Sequence, residues 1–205
     1  MRVLGITGGT GTGKSTVAAL LRKKGCKILD ADRIAKRLQR KGTPVFEKLV
    51  ALFGDAVVDR ETGEIDREAL GARVFGSESD RLAVNGIVHE AVAAEIKKKL
   101  EMLRSRGVRY AVLDVPIPVE NGFFDCADVV WAVVANDDVR VERLMKRNRL
   151  TEEEAEKRIA AQLSNSEYSA LADVVIDNEK GIDELSALVD YEFRRTVEVF
   201  GTGIV

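Results

Sequence analysis

Five short apolar runs, rich in β-branched residues, stand out from the charged stretches along the chain. Each is nearly all apolar, which is the pattern of parallel strands covered on both faces by helices. The first run breaks into a turn dense in glycine, as a buried strand does before a helix. The pattern predicts a mostly parallel five-stranded sheet with strands at Arg2–Thr7, Lys27–Asp30, Tyr110–Asp114, Val129–Val134 and Val174–Asp177.

Helical spacing of apolar residues follows the first two of these strands. The segment from Lys14 has this spacing and stops at Gly25, a residue type common just after a last helical turn. After the second strand, Ile34, Ala35 and Leu38 lie on one helical face. The chain therefore opens as strand, helix, strand, helix, which predicts an α/β fold with a three-layer α/β/α architecture.

Residues 43–106 carry almost no strand signal. Their apolar spacing and capping residues indicate helices, with a turn at 59–63. The block is too long for a simple crossover between strands, so we interpret it as a helical insertion that holds a substrate. The predicted helices cover Pro44–Phe53, 67–75, 78–89 and 91–106.

A second charged block, residues 139–162, follows the fourth strand. Within it, Thr151 and Glu154 have the spacing of a capping box, in which each side chain bonds to the main-chain N–H of the other residue. A helix is therefore predicted to begin just after Thr151.

Composition narrows the class of protein. The 32 Lys and Arg nearly balance the 34 Asp and Glu, so no overall charge favours nucleic acid or an anionic membrane. Cys26 and Cys126 lie in apolar surroundings without the spacing of a metal or redox motif, and we expect both to be buried thiols. No secretory leader pattern is present, and the longest apolar stretch, 129–135, is too short to span a bilayer. These features predict a cytoplasmic protein.

The strongest chemical signal is Gly8-Gly9-Thr10-Gly11-Thr12-Gly13-Lys14-Ser15, which fits the P-loop pattern between a strand and a helix. Its glycines let main-chain N–H groups turn toward a polyphosphate, and the helix N-terminus adds positive potential. Lys14 is predicted to bind the β and γ phosphates, and Ser15 to place its hydroxyl on Mg²⁺. The loop residues predicted to bind ATP are Gly9, Gly11, Thr12, Gly13, Lys14, Ser15 and Thr16.

P-loops serve kinases, switch GTPases and motor ATPases, and later motifs distinguish them. A GTPase would show D-x-x-G after its third strand, but Asp114 leads into Val115 and Pro116. It would also show N-K-x-D late in the chain, but Glu179 follows Asn178. The sequence therefore gives no basis for guanine specificity and favours a kinase.

Asp30 and Asp32 stand at the end of the second strand, where open α/β sheets build a ligand crevice. In an extended segment the two carboxylates would point to the same side. One is predicted to accept the proton of an attacking hydroxyl, and the alternative for either is capping of the next helix. Asp114 ends the third strand and is predicted to hold Mg²⁺, through water, or to bond Ser15, with capping again the alternative.

Arg140, Arg143 and Arg147 are spaced three and four apart and share one helical face. Such a face suits a lid that neutralises charge on ATP in the transition state. The alternative is a solvated face paired with nearby glutamates. His89, the only histidine, lacks a partner for metal binding and is predicted to pack or to contact substrate.

In their order along nearly the whole chain, these features resemble the dephospho-coenzyme A kinase family. No stretch after the P-loop is diagnostic alone, and the joint order carries the resemblance. The matching positions are 5–18, 28–32, 52–54, 63–70, 74–75, His89, 113–116, Glu120, 142–148, 158–162 and 172–178.

The resemblance implies transfer of the γ-phosphoryl group of ATP to the ribose 3′-hydroxyl of dephospho-coenzyme A, the last step of coenzyme A synthesis, with Mg²⁺ as cofactor. It implies one P-loop kinase unit whose nucleotide core covers about residues 1–42, 107–138 and 166–205. A helical substrate domain would cover about 43–106 and a lid about 139–165. The implied partners are ATP and dephospho-coenzyme A, with no nucleic acid and no membrane.

Site residues are carried over by motif position. The resemblance implies Asp32 as the catalytic base, with Lys14 and Arg143 as further catalytic residues. It also implies ATP contacts from Arg143 and Arg147 and metal contacts from Ser15 and, through water, Asp114. The residues implied to contact the acceptor are Asp32, His89, Asp114 and Glu120.

The chain departs from the family pattern at three places. Glu90 follows His89 where the family usually has proline, Arg140 stands where glutamine is common, and residues 117–119 read Ile-Pro-Val. In the third departure Pro118 and Val119 replace an apolar and an aromatic residue near the expected acceptor site. This departure leaves open that the chain is a kinase of another nucleoside-like or nucleotide-like alcohol. The alternative that is not an enzyme is a non-catalytic nucleotide-binding module.

Overall fold

The structure is a computed structural model and describes residues 1–115 and 124–202. Its strands are β1 (Arg2–Thr7), β2 (Lys27–Asp30), β3 (Tyr110–Asp114), β4 (Val129–Val134) and β5 (Val174–Asp177). Its helices are α1 (Lys14–Lys23), α2 (Ala31–Leu38), α3 (Pro44–Phe53), α4 (Arg67–Gly76), α5 (Glu78–Ser105), α6 (Asp137–Asn148), α7 (Glu152–Ala160), α8 (Asn165–Ala170) and α9 (Ile182–Thr202). All five predicted strands are confirmed.

The five strands form one sheet in the order β2-β3-β1-β4-β5. β1 pairs in parallel with both β3 and β4, and β4 pairs in parallel with β5. Helices lie on both sides of the sheet, so the predicted α/β/α class is confirmed. Because chain order reverses between β1 and β4, the carboxyl ends of these strands mark the place where such sheets bind ligands.

The fold has two compact units. The first comprises residues 1–29 and 102–205, and the second comprises residues 30–101. The second unit therefore begins at Asp30, before the start at about residue 43 that the sequence suggested for a helical domain. The segment suggested as a lid, 139–165, belongs to the first unit and contains α6 and α7.

The core of the first unit lies between the sheet and helices α1 and α9. Ile6 and Trp131 come from the strands, and Leu21 and Val189 from the two helices, and all four are fully buried. Helices α6 and α7 have a small core of their own around Leu144, where they pack together. The apolar spacing in these segments thus forms the core against which the P-loop is built.

Helix α5 corrects one prediction. The sequence suggested separate helices at 78–89 and 91–106, but residues 78–105 form a single helix. No proline lies within it, and Gly86 does not interrupt it. Val84, Val92 and Ile96 are buried at helical spacing on both sides of the expected break. A continuous buried stripe therefore keeps the helix unbroken.

The predicted turn at 59–63 and the predicted capping box are both confirmed. Asp59 accepts hydrogen bonds from the N–H and the hydroxyl of Thr62 and from the N–H of Glu61, and these bonds lower the pKa of its carboxyl. Thr151 and Glu154 form the capping box at the start of α7.

The cysteines divide into one buried and one partly exposed thiol. Cys26 is buried, and desolvation raises the pKa of its thiol to about 11. Cys126 is only partly buried, so the expectation that both would be buried is wrong for it. It is the last residue of a short 3₁₀ turn, Phe124–Cys126, which precedes β4 and lies outside the core. Among the described residues, no helix is both long and apolar enough to cross a membrane.

Helix α3 provides a test of the core of the second unit. Leu49 is fully buried in the cluster with Val45 and Val57, whereas Leu52 on the same helix is 47% exposed. Leu49→Ala should lower the free energy of unfolding by about 2–5 kcal/mol, because it leaves a cavity. Leu52→Ala should lower it by less than about 1 kcal/mol. Urea unfolding followed by circular dichroism compares the two, and equal losses would contradict this assignment of the core.

Candidate active site

The P-loop joins the end of β1 to the start of α1. Gly13 precedes the helix in the left-handed conformation, with a φ of 89°. Among the described residues, no side chain caps the N-terminus of α1, and its first turn contains no acidic residue. Uncapped N–H groups at a helix N-terminus attract anions. The P-loop and the start of α1 thus form a site suited to a phosphate.

The loop is held from within by Thr12. Its side chain is fully buried and donates a hydrogen bond of 2.9 Å to the carbonyl oxygen of Gly9. Thr12 was predicted to bind ATP, and in the structure its hydroxyl takes part in shaping the loop. Glycine is required at position 13 because a Cβ there would collide with the side chain of Asn178.

Four consecutive carbonyl oxygens of the loop, at residues 9–12, accept hydrogen bonds from side chains. Thr12 bonds the first, and Arg140 donates to Thr10 over 2.9 Å. Arg143 donates to Gly11 over 3.3 Å, and Asn178 donates to Thr12 over 2.7 Å. The carbonyl groups therefore have partners from the protein, which fixes the path of the loop.

The three arginines on α6 differ in burial and contacts. Arg140 is buried, Arg143 is partly buried and Arg147 is exposed. Arg143 also donates to the carbonyl oxygen of Asn178 over 2.8 Å. Arg147 bonds the side chain of Asn148. Because Arg140 and Arg143 are bonded to the P-loop, the face they share is not simply a solvated one.

Lys14 and Asp114 form an ion pair beside the P-loop. Their side chains are 17% and 12% exposed. Asp114 is brought there by the sheet, since it aligns with Ile6 in the pairing of β3 with β1. The pair places a carboxylate near the start of α1, where Ser15 lies exposed in the first turn.

A cavity of about 400 Å³ adjoins the P-loop in the first unit. Gly13, Ser15 and Thr16 line one part of it, and Arg143 and Arg147 line another. Its remaining walls include two lysines and two aliphatic residues: Lys146, Lys180, Ile182 and Leu185. The cavity thus combines cationic groups with apolar surface next to the phosphate-binding loop.

Asp30, the last residue of β2, and Asp32 lie in different surroundings, which corrects the prediction that they alternate along an extended segment. Asp30 is the N-cap of α2 and accepts the N–H of Arg33 over 2.9 Å. Asp32 lies in the first turn of the helix. Alternation would need an extended chain through Asp32, but the helix already begins at Ala31. The capping alternative is therefore correct for Asp30.

Asp32 lines a cavity of about 350 Å³ in the second unit. Lys36 and Arg67 add positive charge to its walls, and Leu70 and Val74 add apolar surface. A pocket of this composition suits a ligand with both anionic and apolar parts.

His89 and Glu120 were also predicted to contact the substrate. His89 lies on α5, and partial burial lowers the pKa of its imidazole, which favours the neutral form at pH 7. Glu120 and the departure at 117–119 lie outside the described residues. Within the described parts of the chain, no three His, Cys, Asp or Glu side chains converge as a metal site.

Sequence reasoning missed Asn178 and Gln162 as parts of the site. Asn178 follows β5 and bonds Thr12, and Gln162 follows α7 and accepts the N–H of Thr10 over 2.6 Å. Both lie within stretches that carried the family resemblance. Neither belongs to a local chemical motif, so only their contacts with the distant loop reveal their positions.

Comparison with known proteins identifies the family. The family model for dephospho-CoA kinase matches residues 2–184. A dephospho-CoA kinase from Symbiobacterium thermophilum is 45% identical over 194 residues, covering 95% of this chain and 81% of that protein. One from Bacillus licheniformis is 44% identical and covers 90% of this chain and 92% of its own. The chain belongs to the dephospho-CoA kinase family. The resemblance in the sequence is thereby confirmed.

Solved structures share the fold of this chain. A crystal structure of TT1252 from Thermus thermophilus has a TM-score of 0.78 at 31% identity and covers 100% of this chain and 98% of that chain. A dephospho-CoA kinase from Campylobacter jejuni has a TM-score of 0.69 at 22% identity, with 100% of both chains covered. A shikimate kinase from Acinetobacter baumannii has a TM-score of 0.53 at 15% identity, covering 97% of this chain and 94% of that chain. The latter two show the shared fold alone, and the chain is a kinase by family.

The bond from Asn178 to Thr12 provides a test of how the loop is held. Asn178→Ala removes the donor and leaves a carbonyl oxygen without it, which should lower the free energy of unfolding by about 1–3 kcal/mol. The exposed Asn136, whose side chain makes no capping bond to α6, gives the matched control Asn136→Ala, with an expected change within about 0.5 kcal/mol. Urea unfolding measures both, and a loss no greater than that of the control would show that this bond does not hold the loop.

Proposed function

We propose that this chain transfers the γ-phosphoryl group of ATP to the ribose 3′-hydroxyl of dephospho-coenzyme A, giving coenzyme A and ADP. The observation that carries the proposal is the uncapped start of α1 behind a P-loop with Lys14, in a chain of the dephospho-CoA kinase family. The oxygen of the hydroxyl forms a bond to the γ phosphorus. The bond from that phosphorus to the β–γ bridging oxygen breaks, and ADP leaves.

ATP is proposed to bind along the P-loop and the adjoining cavity. Its phosphates meet the N–H groups at the start of α1, through Gly9, Gly11, Gly13 and Thr16 of the loop. The adenosine part occupies the cavity of about 400 Å³ between the arginines of α6 and the aliphatic wall. Arg143 and Arg147 then lie where cationic groups can balance charge on the nucleotide.

Lys14 is proposed to exchange its partner when ATP binds. In the structure it is paired with Asp114. A triphosphate at the start of α1 offers a stronger concentration of negative charge, so Lys14 binds the β and γ phosphates during transfer. The exchange releases the carboxylate of Asp114.

The residues beside the loop fit a magnesium ion. Ser15 offers a hydroxyl in the first turn of α1, and Asp114 offers a carboxylate at the end of β3. Mg²⁺ prefers oxygen ligands and is commonly held by one or two protein groups together with substrate phosphates and water. Bound there, the ion would neutralise charge on the β and γ phosphates.

Asp32 is proposed as the base that accepts the proton of the attacking 3′-hydroxyl. Its cavity joins positive charge from Lys36 and Arg67 to apolar surface, which suits the diphosphate and pantetheine parts of dephospho-coenzyme A. His89 and Glu120 are proposed to contact the same acceptor. Asp30 is occupied as a helix cap, which leaves the catalytic role to Asp32.

Arg143 is proposed to stabilise the transition state together with Lys14, because phosphoryl transfer depends on positioning and charge neutralisation. We further propose that residues 139–165 act as a lid and residues 43–106 as the substrate domain of one kinase unit. The use of ATP and dephospho-coenzyme A supports a cytoplasmic enzyme without nucleic-acid or membrane partners.

The activity is tested by measuring ADP release from Mg·ATP with different acceptors. Dephospho-coenzyme A should give rapid release, whereas adenosine, a nucleoside monophosphate and an acceptor-free reaction should give little. Preference for another acceptor would replace the proposed substrate. ATP binding without release for any acceptor would instead support a non-catalytic nucleotide-binding module.

The role of Asp32 is tested by Asp32→Asn, which keeps the size of the side chain and removes its basicity. Turnover should fall about 10²-fold or more, because a positioned base contributes about that much. ATP affinity, measured by calorimetry, should change little. Asp55→Asn, at an exposed position in the same unit, should keep normal turnover. Equal turnover in the two variants would exclude Asp32 as the base.

A further inference from the structure

Thr10 has both of its main-chain polar groups bonded by side chains from distant parts of the first unit. Arg140, on α6, donates its Nε to the carbonyl oxygen over 2.9 Å. Gln162, just after α7, accepts the N–H through its Oε1 over 2.6 Å. The two ends of the α6–α7 segment therefore meet on one residue of the P-loop. We call Arg140 and Gln162 the Thr10 clasp.

Arg140 is unusual for a charged residue because it is only 1% exposed. Its Nη1 pairs with Asp137 over 2.8 Å, and Asp137 itself is 66% exposed. Its Nη2 is buried and has no hydrogen-bond partner among the described residues. Burying a guanidinium is costly unless it is paired and hydrogen-bonded, so the bonds to Asp137 and Thr10 offset the cost of placing it here. A helix that only faced solvent would leave such a group hydrated.

The P-loop is shaped to receive this side chain. A Cβ at Gly9 would collide with Nη2 of Arg140. A Cβ at Gly11 would lie 2.9 Å from the main-chain oxygen of Arg140. Contacts this close leave no room for a larger residue at either position, so these glycines allow α6 to approach as well as letting the loop turn.

The clasp also limits what Thr10 can do. While its N–H is bonded to Gln162, it is not available to a phosphate, so phosphate binding falls to the other residues of the loop. Its carbonyl is held on the side of α6. The orientation of the peptide groups on both sides of Thr10 is therefore set before a nucleotide binds, and a preorganised site loses less entropy on binding.

We infer that Arg140 and Gln162 are positioning residues that fix the first half of the P-loop through Thr10 and thereby set the affinity for the polyphosphate of the nucleotide. The inference rests on the proposed use of ATP at this loop but not on the identity of the acceptor. Neither residue is assigned a contact with the reacting atoms. The clasp links the α6–α7 segment directly to phosphate binding.

The test measures binding of AMP, ADP and ATP by calorimetry, without an acceptor. Arg140→Ala and Gln162→Ala should each weaken ADP and ATP about tenfold, since each removes one bond that holds the loop. AMP should change less than about twofold, because it lacks the phosphates that extend along the loop. A general loss of structure would weaken all three nucleotides alike, and that result would overturn the inference.

Conservative variants separate positioning from bulk packing. Gln162→Glu keeps an acceptor oxygen and should retain ATP affinity within about threefold, whereas Gln162→Ala should not. The double variant Arg140→Ala with Gln162→Ala should be about as weak as the weaker single one, because both act on the same residue. Losses that multiply to about 100-fold would show independent effects and contradict a shared clasp.

Lys157→Gln on α7 is the matched control, because it removes one positive charge from an exposed side chain of the same segment. Its nucleotide affinities should equal those of the unaltered protein. Thermal unfolding checks that each variant folds. If Arg140→Ala does not fold, the ATP affinities of the Ala and Glu variants of the partly exposed Gln162 still test the inference. Unchanged ATP affinity in Gln162→Ala would then overturn the inference, whatever acceptor the enzyme uses.

Discussion

The carbonyl oxygens of the P-loop need hydrogen-bond donors, and the arrangement of the site depends on where those donors come from. Four in succession, at residues 9–12, are bonded by side chains. A loop that passes beneath packed helices cannot leave such groups without partners at low cost. Thr12 supplies one donor from the loop itself, and Arg140, Arg143 and Asn178 supply the rest. The loop is thus held both from within and from outside, and the start of α1 is left for an anion.

Sheet order explains why those donors are available. β1 lies between β3 and β4, and β5 follows β4 at the edge. Helix α6 leaves the carboxyl end of β4, and Asn178 leaves the carboxyl end of β5, so both arrive beside the loop that leaves β1. Asp114 arrives from β3 on the other side. The parallel sheet therefore gathers at one edge groups that are 100 or more residues apart in sequence.

Local patterns predicted the strands, the P-loop and the helix starts because each depends on neighbouring residues. The residue that caps α2 was harder to predict, because Asp30 and Asp32 are two residues apart and either one fits a helix start. The break suggested in α5 was wrong because the buried stripe through Val92 continues past it. Gln162 and Asn178 bond the loop across more than 150 residues, and no spacing in the sequence encodes such a contact.

Because of the ion pair between Lys14 and Asp114, a substitution of either residue changes stability as well as activity. Both groups are largely buried, so removing one leaves the other as an uncompensated charge. In buried pairs that loss costs about 3–5 kcal/mol. A Lys14 variant would therefore combine a folding defect with any loss of phosphate contact. Replacing both residues by neutral ones avoids the uncompensated charge, but it also removes the carboxylate proposed to hold Mg²⁺, so in this site the folding and the chemistry of the lysine are tied to one partner.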